Sequence, residues 1–431
     1  MTGGVTVHNL LTPMPRRQSL HHAHRLRSDR ASLRGVAVVL VALLVIVAGL
    51  ASFQFFRAVP SPTLRASLAS QRRVAGGDPH FSWPAQGSAV VAIKGIGTLG
   101  VHNGSARYPI ASVTKMMTAL VVLKDHPLQI GNQGPTITVT PADVSLYQSE
   151  KAQGDSVVRV VAGEHLTEYQ ALEALLVPSA DNFATLLADW DAGSQSAFVA
   201  KMNAEAKHLG LDHTRYAEPS GVNPGSASTV GDQLQLAELC MANAVFAHIV
   251  GKAQVTLPVA GVQYNVNSNL GTDGIIGVKT GWVPQGGASF VFAARQTSAI
   301  GHVTVMGAVF GQNSATPLAT AFAEARKLVT SAPGVLRKEQ VIAPHLVVGH
   351  ITDSYGHEVA IETAAGASLN AWPGATYHLA FHQTRRIVAP LAAGATVGEL
   401  TATLGSQSAR VPVVTTRAIS KPSLGWRLTR L

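Results

Sequence analysis

The pattern of apolar and polar positions divides the chain into three regimes. Positions 35 to 56 are apolar almost without interruption. Neither the alternation of a half-buried strand nor the stripe of a surface helix is present there. About 20 such residues cross a ~30 Å hydrocarbon core, so this run predicts a membrane-spanning helix. From 81 to 333 helical stripes alternate with short strand-like runs. Met116, Met117, Leu120, Val121 and Leu123 recur at helical spacing, and residues 167–177, 182–191 and 194–209 read as helices, the last closed by Gly210. Residues 89–93 and 98–101 read as a hairpin, 275–279, 289–294 and 302–310 as strands, and 316–330 as a helix. This mixture predicts the α/β class in its α+β form, with an antiparallel sheet between helices. From about 335 the pattern shortens to alternating runs at 342–348, 357–363, 377–382, 386–390, 397–403 and 409–414. Turn residues separate them, which predicts a small C-terminal all-β domain.

Charge orients the first regime. Arg16, Arg17, Arg25, Arg27, Arg30 and Arg34 precede the apolar run, with only Asp29 opposing them. By the positive-inside rule the N-terminus stays in the cytoplasm and the chain after Phe56 is exported. Small residues at Ser67 and Ala69 leave open a cleaved, secreted form. The length of the run favours an uncleaved single-pass anchor in a plasma membrane. The expected organisation is a cytoplasmic basic tail (1–34), a transmembrane anchor (35–56), a Pro/Ser/Arg-rich linker (57–80), a chemistry-bearing domain (81–333) and the β-domain (334–431). The chain ends in GWRLTRL with no long amphipathic helix, which fits anchoring at the N-terminus.

Composition changes this picture only slightly. Apolar residues are 46% and charged residues 13% of the chain, which excludes disorder. The net charge is +9, but no Lys/Arg-rich run with interleaved aromatics points to nucleic acid. The single cysteine, Cys240, cannot form an internal disulfide. It lies among Leu234, Leu236 and Leu239 and reads as a buried small hydrophobe. His21, His22 and His24 cluster in the basic tail, which reads as disordered. No His or Cys spacing suggests a metal site, and no cofactor is expected.

Three short motifs carry candidate chemistry. The first is Ser112-Val113-Thr114-Lys115, at the head of a helical pattern. Residues three apart share a helix face, so Ser112 and Lys115 would meet at its start. A serine hydroxyl needs an adjacent base, and a lysine serves when burial lowers its proton affinity. The second motif begins at Ser179, in VPSADNF. The third is Lys279-Thr280-Gly281 on a predicted strand, where a cation and a hydroxyl could hold a substrate carboxylate. Gly277 and Gly281 would let a substrate backbone lie close. Each motif alone is common: Ser-x-x-Lys is usually a capping serine beside an exposed lysine. All three in this order are far more specific.

The set Ser-x-x-Lys, Ser-x-Asn and Lys-Thr-Gly resembles that of penicillin-binding proteins and serine β-lactamases. The sequence is more similar to the low-molecular-mass D-alanyl-D-alanine carboxypeptidases, peptidase family S11. TRYAEPSGVNP (214–224), STVGDQLQLAELCM (228–241) and NVNSNL (265–270) resemble further segments of that family. The likeness covers roughly residues 81–330 and continues more weakly into IVAPLAAGATVGELTATL. It implies the penicillin-binding transpeptidase fold with an all-helical subdomain and the site between the two parts.

The resemblance also implies roles. Ser112 would attack the penultimate D-alanine carbonyl, Lys115 would take its proton, and Ser179 would relay a proton to the leaving group. Lys279 and Thr280 would hold the terminal carboxylate, with Gly281 beside them. The N–H groups of Ser112 and Trp282 would form the oxyanion hole. Peptidoglycan stem peptides would be substrates and β-lactams inhibitors. One position departs from the pattern. Asp181 stands where the family's second motif has Asn, and Asn182 follows it. An ionised Asp only accepts hydrogen bonds. Asp181 is expected to face the site, either pairing with Lys115 or Lys279, or staying protonated; alternatively Asn182 takes the Asn role through a shifted backbone. Two other readings remain at this point. One is a serine β-lactamase, with Glu218 at a plausible distance for deacylation. The other is a degenerate, non-catalytic wall-binding protein.

Overall fold

In the computed structural model, which describes residues 20–430, the chain opens on helix α1 (Leu20–Phe56). Its apolar part, Leu33–Phe56, is 24 residues long with mean hydropathy 3.0, and none of it is buried. At about 1.5 Å per residue it is long enough to cross a ~30 Å core. The helix begins at Leu20, inside the segment expected to be a disordered tail. Once the apolar run is helical, extending it backwards needs no new nucleus. Arg16 and Arg17 lie outside the described residues.

A five-stranded antiparallel sheet is the centre of the molecule. Its order is Ile275–Val283, Gly287–Ser298, Gly301–Gln312, Ser88–Ile93, Gly97–His102. Alternate residues face opposite cores. Val291 and Ala293 join the helical core on one face, while Phe290, Phe292 and Ala294 join the core on the other. With both faces covered, these strands read as continuous apolar runs.

The helices α2 (Lys115–Asp125), α3 (Pro141–Gln153), α4 (Glu168–Leu176), α5 (Asp181–Ala192), α6 (Gln195–His208), α7 (Val230–Cys240) and α8 (Ala244–Val250) form the helical side. Their ends are written in the sequence. Thr140 with Asp143 and Thr167 with Gln170 form capping boxes at α3 and α4. Gly154 and Gly193 close α3 and α5 in the left-handed conformation. Helix α9 (Pro317–Ser331) covers the opposite face of the sheet, where Phe322 meets Phe290 edge-on at 4.9 Å between ring centres.

The C-terminal part is all-β. A seven-stranded antiparallel sheet runs Thr63–Ala66, Val347–Thr352, Glu358–Thr363, Gln407–Thr415, Thr396–Leu404, Thr376–Gln383, Gln71–Arg73. Both edge strands come from the segment expected to be a linker. Their pairing leaves no long span of 57–80 as a free spacer. Two more strands, Arg337–Ile342 and Ala367–Ala371, pair beside this sheet. The 342–348 run expected as one strand straddles a turn between two. The 386–390 run forms no strand: Ile387 is buried, but Pro390 has no N–H to give a ladder. A single apolar cluster joins this part to the central sheet, with Trp372, Leu400 and Ile361 in the same core as Val91 and Phe292. The short helix α10 (Leu424–Thr429) returns to the exit of α1. There Gln54 Nε2 donates to the Arg430 carbonyl at 3.0 Å, and Arg430 Nη1 donates to the Ala58 carbonyl at 3.2 Å.

Candidate active site

Ser112 sits on a single 3-10 turn, Ala111–Thr114, and Lys115 opens α2. The expected plain helix is tightened here, and Ala111 enters it at φ +48°. Left-handed backbone at a non-glycine residue costs of order 1–3 kcal/mol, so the surroundings must hold it. Two glycines admit it. A Cβ on Gly221 would lie 1.8 Å from the Ala111 carbonyl oxygen, and one on Gly281 would lie 2.7 Å from the Ile110 oxygen and 3.0 Å from the Ser112 nitrogen. The Lys-Thr-Gly strand can therefore press against the backbone of the serine turn.

Lys115 is fully buried and donates three hydrogen bonds. They go to Ser112 Oγ at 2.8 Å, Asp181 Oδ1 at 2.5 Å and the Ser220 carbonyl at 2.8 Å. Asp181 is 3% exposed, and its second oxygen accepts from the Ser156 N–H at 3.0 Å. Of the arrangements open from the sequence, Asp181 takes the pairing with Lys115. Asn182 does not replace it. Its amide is spent on Val158, accepting from the N–H at 3.0 Å and donating to the carbonyl at 2.9 Å.

On the opposite wall Lys279 Nζ donates to Ser179 Oγ at 2.9 Å and to the Thr280 carbonyl at 3.1 Å. Ser179 lies between α4 and α5 at φ +64°, a turn that aims its hydroxyl at the strand. Lys279 and Thr280 are buried, Gly281 is buried, and Trp282 is half exposed. Burial holds the Lys279 ammonium well below the usual lysine range; the Lys115 charge pushes it the same way and Asp181 opposes both. Ser112, Lys115, Ser179, Asp181, Lys279, Thr280 and Gly281 thus form one constellation reaching from α2 to the strand Ile275–Val283.

Carboxylates ring the lysine. Glu150 on α3 is raised from 4.5 to about 7, first by burial and then by Asp181 and Asp155. Glu218, the alternative deacylation residue, is committed elsewhere. Its oxygens accept from the N–H groups of Ser220 at 2.6 Å, Gly221 at 2.5 Å and Asn223 at 3.2 Å. It shapes the loop whose Ser220 carbonyl holds Lys115. The sequence did not single out Ser220, Ser156 or Glu150. Ser220 lies in the Glu-Pro-Ser-Gly segment that carried the family likeness, so a signal for it was present. Ser156 contributes only backbone, and no side-chain pattern could have marked it.

Among the described residues no group of three His, Cys, Asp or Glu side chains is placed to hold a metal ion. Cys240 is buried, with its thiol directed at the Met116 carbonyl at 3.6 Å, and burial pushes its ionisation far up. It stands outside the constellation.

Comparison with known proteins fits this geometry. Residues 88–312 match the family model described as D-alanyl-D-alanine carboxypeptidase, peptidase family S11. The chain is 34% identical over 229 residues to the D-alanyl-D-alanine carboxypeptidase DacB2 of Mycobacterium tuberculosis, covering 52% of this chain and 74% of that one. It is 30% identical over 258 residues to a D-alanyl-D-alanine carboxypeptidase of a Streptomyces species, covering 54% and 85%. Among solved structures, a Streptomyces DD-transpeptidase aligns with TM-score 0.51 at 27% identity, covering 59% of this chain and 98% of its own. Penicillin-binding protein 5 of Haemophilus influenzae aligns with TM-score 0.57 over 80% of this chain and all of its own; at 18% identity it speaks for the fold alone. The fold is that of the penicillin-binding DD-peptidases, and the chain belongs to the D-alanyl-D-alanine carboxypeptidase family of serine peptidases.

Proposed function

We propose that Ser112 is the nucleophile of this serine carboxypeptidase and that it removes the terminal D-alanine from peptidoglycan stem peptides. The observation that carries the assignment is the 2.8 Å contact between Ser112 Oγ and Lys115 Nζ, with the Lys279–Ser179 pair at 2.9 Å across from it. Lys279 and Thr280 hold the substrate's free carboxylate. Ser112 Oγ attacks the penultimate carbonyl carbon and yields a proton toward Lys115. The oxyanion that forms is held by the N–H groups of Ser112 and Trp282, an interaction of the kind worth roughly 3 kcal/mol of barrier per donor. Ser179 passes a proton to the departing D-alanine nitrogen, which leaves as the amine. Water then attacks the ester and frees Ser112. A β-lactam follows the same first step and leaves slowly. The commitment of Glu218 to its own loop weighs against rapid β-lactam hydrolysis. The intact set of reactive side chains weighs against a non-catalytic wall-binding role.

The apolar stretch of α1 supports a membrane anchor. With the arginine-rich side inside, the chain is single-pass and the site faces the cell wall.

The test is D-alanine release from diacetyl-Lys-D-Ala-D-Ala by the purified protein, beside a Ser112→Ala control. Release that vanishes in the control supports the assignment. Release that survives it overturns the nucleophile. Fast turnover of a chromogenic cephalosporin would favour the β-lactamase reading.

A further inference from the structure

We infer that Asp181 is the terminal proton acceptor of the acylation step, so that the base is the Lys115–Asp181 pair and not the lysine alone. The inference rests on Ser112 being the nucleophile and deepens that reading.

The geometry raises a difficulty that the pair resolves. Lys115 Nζ contacts three acceptors, and a nitrogen donating to all three is an ammonium with no lone pair for the serine proton. Before it can act, one proton must leave. Ser220 offers only a carbonyl oxygen, and Ser112 is the group to be deprotonated. Asp181 Oδ1, at 2.5 Å, is the one contact that can keep a proton. Lys115 is fully buried and Asp181 nearly so, so solvent does not compete for the transfer.

The step balances. The Lys115 proton moves to Asp181 Oδ1 as the carboxylate becomes a carboxylic acid. The freed nitrogen lone pair takes the Ser112 Oγ proton while Oγ bonds to the carbonyl carbon and the C=O pair becomes the oxyanion. Lys115 ends as an ammonium again, and the net charge is unchanged. An Asn at this position can hold the lysine but cannot take the proton.

The surrounding charges act on both members of the pair, so the short contact itself carries the assignment. Facing the pair are Glu150 from α3, Asp155 from the loop after it, Glu218 from the 218–223 loop and Lys279 from the sheet. Three carboxyls stand on that side against one further cation. The Ser156 N–H on Oδ2 keeps the carboxylate oriented so that Oδ1 faces the lysine.

The experiment is the pH dependence of Ser112 acylation by fluorescent penicillin in the full chain and in Asp181→Asn. If Asp181 is the acceptor, the unaltered chain needs only its carboxylate ionised. The variant must wait for an ammonium to lose its proton to water. Its acid limb then moves to higher pH, and acylation near pH 6 falls by at least about tenfold, in the range of general-base effects. If Asp181 only clamps the ammonium, releasing the clamp moves the limb down in pH and speeds acylation; that outcome, or an unmoved limb, overturns the inference. Asp181→Glu, which keeps an acceptor, should retain the original limb. Should the variants fail to fold, the unaltered chain decides alone. Its acylation rate in mixtures of light and heavy water should curve as two protons in flight require, and a straight line would overturn the relay. Absence of any label on Ser112 in the unaltered chain would instead remove the nucleophile on which the inference stands.

Discussion

At Gly281 a strand meets the backbone of the serine turn, and the absence of a side chain there is what permits the approach. A Cβ at that position would sit 2.7 Å from the Ile110 oxygen. Gly281→Ala should force the strand off the turn. A displacement near 1 Å costs roughly 10²-fold in rate, so the variant should fold yet take penicillin on that order more slowly. An acylation rate within a factor of two of the parent would sink this account. Lys279 gives a second test at the same scale. Burial lowers its ionisation, so it loses charge at lower pH than an ordinary lysine. In the proposed role the ammonium holds the substrate carboxylate below that point, and as pH rises through it the attraction is lost. KM for a free-carboxylate peptide should rise with pH already below the range where an ordinary lysine loses its charge, and KM for its ester should change less. Parallel profiles for the two substrates would show that Lys279 does not read the carboxylate. These residues were legible because the motifs name them. The fate of Asp181 was not, since its partners Lys115 and Ser156 reach it only through the fold. Lys115 and Ser220 are likewise 105 positions apart.

Among the elements, α4 carries an unused tension at its first residue. Glu168 is fully buried, both its carboxyl oxygens lack partners, and burial raises it from 4.5 to about 7. A Cβ on Gly134 would lie 2.5 Å from one of those oxygens, so the loop that follows α2 closes directly over them. The folded state holds this proton more tightly than the unfolded chain does. Whatever stability the proton brings is full below about pH 4.5 and fades as pH rises through about 7. Glu168→Gln should therefore raise the melting temperature near pH 8 and leave it almost unchanged near pH 4. A drop at both pH values would mean that the carboxyl has a partner the static structure does not reveal. Helices were the most readable elements, because caps such as Thr167 with Gln170 sit where the apolar stripe begins. The 3-10 turn at Ser112 was not readable as such, since it is imposed by Gly221 and Gly281 arriving from elsewhere. Short strands were read least well. The 342–348 run hid a turn, because apolar residues on both sides of it face one core.

For the whole molecule, the two sheets share a core, and the segment after α1 belongs to the second of them. Thr63–Ala66 pairs with Val347–Thr352, and Gln71–Arg73 pairs with Thr376–Gln383. Neither pairing could be read from a polar, Pro-rich stretch whose partners lie far along the chain. A protein beginning at residue 81 should lose both edge strands. Its melting temperature should fall by about 3 °C or more against one beginning at residue 57, a loss of roughly 2 kcal/mol or more for a chain of this size. Equal melting temperatures would show that the strands add nothing. Penicillin labelling of Ser112 should survive in both, because the site draws on neither strand.

Those edge strands also set a timetable. In the proposed topology, with the N-terminus inside, Thr63–Ala66 would cross the membrane early, while its partner is still to be made. One border waits for Val347–Thr352 and the other for Thr376–Gln383, and the two halves of the sheet are joined only when the latest strand, Gln407–Thr415, has been delivered between Glu358–Thr363 and Thr396–Leu404. Until then two short ribbons and an apolar half-core would stand open, which is the period when pairing with a neighbour or attack by a protease is easiest. Insertion of that central strand then ends the exposure, with the two earliest segments as the outermost rails of the latest-made domain. The second sheet is thus less an appended module than a latch that engages when the chain has fully arrived.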